Sequence, residues 1–274
     1  MKNKTVLMFA KGFVLFWIAV FLLIPMIIVV ITAMKPPSEF VKNPVGLPSV
    51  LYFTNFSDAV TKAKMLEYSK NSLFVLVVSV ALIVVADVAC AYGLSKTMHK
   101  RIGKALYLFI MFGLMLGGAN YVTMLLLYRN FGLYNSLWGV IVSTVAGSVP
   151  LAVFLLVGFI RALPADIMEA ADIDGCSPLR SLVHIVIPLI TPAISTIVIL
   201  NMVTCWNNML TPLLLLKDKN LYTVPLGLLS LRGTYRTDYT VLFAAMLISA
   251  VPLIVSYLAL QKKFVESLAG SLKG

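Results

Sequence analysis

Six apolar stretches, each long enough to cross a bilayer, exclude most of what a chain of 274 residues could otherwise become. A spanning helix needs about 20 mostly apolar residues. Gly12–Met34 carries no charge, Ser72–Ser95 carries only Asp87, and Ala105–Tyr128 is uncharged again. An uncharged run from Asn130 to Ile160 follows, of which Leu137–Ile160 suffices to span. Ile185–Leu216 contains Pro188, Pro192 and Pro212, and Thr240–Leu260 is interrupted by Pro252. Charged residues make up 12% of the chain. A soluble domain carries about 25%, so a water-exposed globule is excluded. The expected fold class is all-α: a polytopic membrane protein with six transmembrane helices forming one domain over residues 1–274. The spans are expected near 12–34, 72–95, 105–128, 137–160, 189–210 and 240–260. The first apolar run exceeds a signal-peptide core and is followed by Lys35-Pro36-Pro37 in place of a small-residue cleavage site, so it is expected to be retained as an anchor.

The formal net charge of +11 would point to nucleic acid in a soluble protein. Here the cations lie between apolar runs, where they set topology, and no nucleic-acid partner is expected. With both termini cytoplasmic, twelve Lys and Arg fall inside and ten outside, so totals alone barely discriminate. Short loops and flanks weigh most, however, and residues 96–104 carry four cations in nine positions. Apart from Arg129, the external cations are spread over the long loops 35–71 and 217–239. Both termini are therefore placed inside. Cys90, Cys176 and Cys205 form no CxxC pair, and with two histidines in the chain neither a metal site nor a disulfide framework is expected.

One inner loop breaks the charge rule. In 161–184, Asp166, Glu169, Asp172 and Asp174 fall within nine residues, against Arg161 and Arg180 alone. Pro164 suits the start of a short helix, acids follow near its positive dipole end, and Gly175 can stop it. Ser177 as N-cap and Pro178 at the first helical position then begin another helix. On the first helix Asp166, Glu169, Ala170 and Ile173 share a face, and Ala170 and Ala171 are small enough for close approach of another surface. A solvated connector lying on the membrane is the plain alternative. Anionic head groups would repel such an acidic helix, so a protein partner fits better.

The string EAADIDG, Glu169–Gly175, continued by CSPLRSLVHIVIPLITPAI, closely resembles the coupling loop of binding-protein-dependent ABC importer permeases. That family pattern is Glu-Ala-Ala, a later glycine, and a hydrophobic stretch closed by Leu-Pro or Ile-Pro, here Ile187-Pro188. MKPPSEF near Met34, AYGLSK from Ala91, Trp206-Asn207-Asn208, TVPLGLLSL from Thr223 and the closing FVESLAGSLKG resemble the carbohydrate-type, maltose-permease-G-like branch. Two features depart from it: Gly117-Gly118-Ala119-Asn120 replaces a frequent proline-rich stretch, and Asn208 stands where many members carry an acid. The resemblance implies a type I importer permease fold in a prokaryotic inner or plasma membrane, importing sugar. It implies a second homologous permease subunit, two ATP-binding cassette subunits that bind ATP and Mg, and an extracytoplasmic solute-binding protein. It further implies that Glu169, Ala170, Ala171, Asp174 and Gly175 couple to the ATPase. Arg232, Gly233 and Tyr235 in the outer loop would face the binding protein, and the tail ending Leu272-Lys273-Gly274 would contact the ATPases.

No G-x-x-x-x-G-K-[ST] phosphate loop occurs, so the chain is expected to bind no ATP or other cofactor and not to be an enzyme. No catalytic constellation is seen, and His99 and His184 read as interfacial. Asn201, Thr204, Trp206, Asn207 and Asn208 combine amide, hydroxyl and aromatic groups, a candidate lining for a sugar pathway, with helix-packing contacts as the alternative. Asp87 is the one acid inside a span. It reads as a buried structural contact, and a cation-coupled secondary transporter is the rival it would support. A non-transport scaffold or enzyme, and an amino-acid or peptide permease, are the remaining alternatives.

Overall fold

The computed structural model describes residues 2–115, 121–232 and 237–271, and among them every regular element is a helix. In chain order these are α1 (Lys2–Ala33), α2 (Pro37–Lys42), α3 (Thr54–Thr61), α4 (Met65–Thr97), α5 (Arg101–Met115), α6 (Tyr121–Asn130), α7 (Leu137–Arg161) and α8 (Ala165–Ile173). There follow α9 (Pro178–Ser181), a π-turn (Leu182–Val186), α10 (Ile187–Leu189), α11 (Thr191–Asn207) and α12 (Leu210–Leu215). A 3₁₀ turn (Lys219–Leu221), α13 (Val224–Ser230) and α14 (Tyr239–Ser271) complete the order.

Among the described residues, Lys11–Ala33, Met65–Thr97, Leu137–Arg161 and Tyr239–Leu258 are long and apolar enough to cross a membrane. The bent pair Pro178–Leu189 and Thr191–Asn207 is a fifth candidate. The fifth expected span departs from a continuous rod, and the third lies partly outside the described residues. The stretch 105–128 falls on α5 and α6, which flank residues 116–120, outside the described set. At 1.5 Å per residue neither helix alone reaches the roughly 30 Å of a hydrocarbon core. The stretch 189–210 is not one straight rod: the chain breaks at Ile190, and the two arms meet at 78°. Pro192 has no N–H to offer the carbonyl of Pro188, and the π-turn just before has already shifted the hydrogen-bond register.

The chain divides into two compact units. The first, Met1–Glu67 with Gly227–Val251, is organised by buried polar groups. Lys35, counted above among the cations of the outer loops, is 0% exposed. Its Nζ donates to the carbonyls of Asn43 at 2.8 Å, Pro44 at 3.4 Å and Gly46 at 2.6 Å, which curls the segment after α2 around it. Asn55 Nδ2 donates to the carbonyls of Ala33 and Lys35 at 2.9 and 2.8 Å, and its Oδ1 accepts from Thr240 Oγ1 at 3.2 Å. In the same loop Glu39 accepts from Ser49 Oγ at 2.8 Å and Ser49 N at 2.9 Å. Those bonds, with a smaller contribution from Lys35, hold the Glu39 carboxyl below the ordinary carboxylate range. A depressed folded value stabilises the loop above the unfolded pKa, and that stability is lost as pH falls through the folded value. The protection factor of the Ser49 amide, its exchange corrected for the intrinsic rate, is accordingly expected to fall on acidification below the ordinary glutamate range, and Glu39→Gln should flatten that dependence.

The second unit, Tyr68–Leu226 with Pro252–Gly274, holds a core built from α4, α7 and the chain from the π-turn into α11. Ile83, Val153, Leu156, Val186 and Ile190 are at its centre. By contrast, the most apolar stretch of Lys11–Ala33 buries none of its residues within the chain, and Phe13, Trp17 and Phe21 stand exposed. Such a surface is stable in lipid and not in water.

Candidate functional site

The acidic loop folds as its local chemistry dictates. Pro164 precedes α8, whose first turn carries Asp166. Gly175 closes it at φ +71°. Cys176 N donates to Ala171 O at 3.0 Å and Gly175 N to Asp172 O at 3.2 Å, the paired bonds of a Schellman ending. Ser177 then caps α9, its Oγ accepting from Arg180 N at 3.4 Å. Two faces of α8 diverge. Ala171 is buried, and Leu163 and Met168 pack on the core of the second unit. Lys96 at the end of α4 lies 3.5 Å from Asp172 and ties the helix to a long transmembrane element. On the opposite face Asp166, Glu169 and Ala170 are exposed, and Ile173 is 85% exposed. Of the five residues expected to couple, Glu169, Ala170, Asp174 and Gly175 face outward, while Ala171 serves the chain's own packing.

A cavity of about 590 Å³ lies among α6, α7, α11 and α12. Asn201, Thr204 and Asn208 line it from one side, a single helical face by their spacing of three and four residues. The other two residues of the expected set are not brought to it. Trp206 is buried away from the cavity at 5% exposure, and Asn207 bonds back to Val203 O at 2.9 Å on an exposed face. Tyr121, Tyr128, Ser143 and Thr144 add polar groups to the lining from α6 and α7. Sequence reading missed these. Their signal was the serine, threonine and glycine positions on one face of an otherwise apolar run. Ser148, also in the lining, has its Oγ 3.1 Å from Asp87 Oδ2 and 2.8 Å from Val145 O. Asp87 is thus a buried carboxylate behind the cavity wall.

The start of the outer loop is pinned within the second unit. Asn135, at φ +54°, accepts from the backbone N–H of Lys217 and Asp218 at 2.9 Å each. Asn71 Nδ2 donates to the carbonyls of Asn220 and Tyr222 at 2.8 and 3.0 Å. Arg232 is exposed, whereas Gly233 and Tyr235 lie outside the described residues, as do Leu272, Lys273 and Gly274. Among the described residues no three His, Cys, Asp or Glu gather as metal ligands would.

Residues 83–269 match the family of binding-protein-dependent transport system inner membrane components. The chain belongs to that family. The permease is 30% identical, over 92% of its own length and 84% of the relative's, to the diacetylchitobiose uptake system permease protein NgcG of Streptomyces coelicolor. It is 29% identical, over 100% of both chains, to the arabinooligosaccharides transport system permease protein AraQ of Halalkalibacterium halodurans. These relatives agree with the carbohydrate-type branch expected from the sequence. Its fold is that of a chain in the crystal structure of a bacterial ABC transporter involved in the import of the acidic polysaccharide alginate. The TM-score is 0.85 at 21% identity, covering 96% of the permease and 98% of that chain. A bacterial alginate ABC transporter in complex with an alginate pentasaccharide-bound periplasmic protein gives a TM-score of 0.70 at 16% identity, covering 94% and 93%. The permease is a multi-pass membrane protein and a transporter subunit, not an enzyme.

Proposed function

We propose that the permease forms one half of the pore of an ATP-driven importer for oligosaccharides or related carbohydrates. The other half is a second homologous permease, two ATP-binding cassette subunits hydrolyse ATP with Mg, and an extracytoplasmic binding protein delivers the sugar. Both termini lie on the cytoplasmic side. The observation that carries this reading is the outward face of α8, where Glu169 and Ala170 sit beside an Ile173 that is 85% exposed. An acidic helix with an uncovered isoleucine is suited to a protein cleft and poorly suited to anionic lipid. Docked there, α8 with Glu169 as its charged anchor would pass ATPase closure through Lys96–Asp172 and the core of the second unit. The permease halves would then rotate to alternate access as rigid bodies. Arg232 and its neighbours Gly233 and Tyr235 would meet the binding protein, and the lining of Asn201, Thr204 and Asn208 would face the sugar. The carbohydrate assignment also draws on the sugar-uptake relatives.

The test is uptake by proteoliposomes holding the permease with its partner permease, ATPases and binding protein. Sugar accumulation should require internal ATP and the binding protein and should survive an ionophore. Uptake that collapses with the ion gradient and persists without ATP would overturn the assignment. Asp87 offers an independent check. Its contact with Ser148 supports a structural role, and an amide keeps the same shape. Asp87→Asn is therefore expected to keep uptake within about twofold of wild type, a loss of under about 0.5 kcal/mol in this comparison of near-isosteric groups. Abolished transport by a normally assembled complex would favour ion coupling.

A further inference from the structure

We infer that the cavity among α6, α7, α11 and α12 is a glycosyl subsite that selects uncharged sugars over anionic ones. The inference rests on the carbohydrate reading above and adds the substrate's charge class and the residues that set it. Its first support is the composition of the wall. Among the described residues no Asp, Glu, Lys, Arg or His lines the cavity, although the fold it shares is found in an importer of an acidic polysaccharide. An anionic ring would be desolvated there with no cation to pair it, and burying an unpaired charge is costly. Asp87, behind Ser148, is an acid and supplies no cation to pair such a charge.

The second support is the hydrogen-bonding capacity left open. Asn201 Nδ2 is bound to Ile197 O at 3.0 Å, which leaves its Oδ1 as an acceptor. Asn208 Oδ1 accepts from Thr211 N at 3.2 Å, which leaves its amide N–H groups as donors. Thr204 and Thr144 donate to Leu200 O and Val140 O at 2.8 Å each, and both hydroxyls keep acceptor lone pairs. Tyr121, 41% exposed, adds an aromatic surface. Acceptors and an amide donor beside an aromatic ring match a sugar hydroxyl array, each member of which both donates and accepts. A cavity of about 590 Å³ has room for such a group.

The test uses the complete transporter in proteoliposomes, with its own binding protein held constant. The neutral probes are maltotriose, cellotriose, arabinotriose and diacetylchitobiose, and the anionic probes are trigalacturonate and alginate trisaccharide. Wild type should import at least one neutral probe and neither anionic one. Asn201→Leu and Thr204→Val should each lower uptake of that neutral probe by about tenfold, while binding-protein-stimulated ATPase activity persists. Asn201→Asp should lower it as well, and Ser195→Ala, which does not line the cavity, should leave it unchanged. The Thr204 variant keeps side-chain volume, so a folding defect in one variant does not hide the result. Wild-type uptake rates in all three cavity variants would sink the subsite while leaving the importer assignment standing, as would anionic import as fast as neutral. Import of none of the sugars would overturn the carbohydrate reading and the subsite with it.

Discussion

Glu169→Lys is expected to abolish sugar uptake while the permease still reaches the membrane. Glu169 is exposed on the face of α8 that carries Ala170 and Ile173, so among the described residues the change breaks no hydrogen bond or ion pair. In the assembled transporter it places a cation where a desolvated acid would be read. Reversal at a buried interface pair costs about 2 kcal/mol or more, roughly thirtyfold in affinity. The ATPase subunits should then be released on detergent purification, or stay bound and uncoupled. Gly175→Val should give the same phenotype for a different reason. No atom lies within 4 Å of where its Cβ would be, so space is not the obstacle; the φ of +71° is. A branched residue there costs about 1–2 kcal/mol and threatens the two bonds that end the helix. Gly175→Asn should be milder, because asparagine tolerates this conformation. Near-wild-type uptake with ATPase retention in both Glu169→Lys and Gly175→Val would remove α8 as the coupling element.

The second large effect is expected at Lys35. Replacing it with Met deletes three bonds to the carbonyls of Asn43, Pro44 and Gly46 and leaves those acceptors turned toward an apolar stem. Bonds from a charged donor contribute about 1.5–3 kcal/mol each, with strong sharing among them, so a loss of about 3 kcal/mol is expected. Thermal unfolding in detergent should show a clear drop in midpoint, and exchange across residues 43–49 should rise. Lys42→Met, at an exposed position two turns on, should melt as wild type does. An unchanged midpoint for Lys35→Met would mean that the curled segment is held by other contacts.

What could be read from the sequence follows how local the governing physics is. Pro164, Gly175, Ser177 and Pro178 act on their own few residues, and the structure places each as its type requires. The five polar residues near the end of the fifth apolar run were legible as a cluster. Helical periodicity then separates Asn201, Thr204 and Asn208 from Trp206 and Asn207. The opposite wall, from Tyr121 to Ser148, belongs to other helices, and no spacing along the chain announces that they meet. The anchoring role of Lys35 is hidden for the same reason. Lys-Pro-Pro looks like a solvated flank, and only the return of the chain through Asn43–Gly46 turns it into an internal anchor. The prolines 188 and 192 were visible, but whether they kink a span gently or end it depends on the π-turn that precedes them.

That junction at Ile190 has a mechanical consequence. Ile190 is 1% exposed and bonded on both sides, its N–H to Val186 O at 2.9 Å and its carbonyl to Ile194 N at 3.0 Å. It is therefore a fixed fulcrum between two arms set at 78°. With 1.5 Å of rise per residue, the arm Pro178–Leu189 is about 18 Å long and the arm Thr191–Asn207 about 26 Å. Two arms at an angle about a fulcrum form a bell crank. Turned as one piece, a shift of about 1 Å at the tip beside α8 becomes about 1.4 Å at the far tip, near the cavity's Thr204 and Asn208, and nearly at right angles to the push. A push at one tip becomes a crosswise displacement at the other, with gain set by where Ile190 divides the two arms.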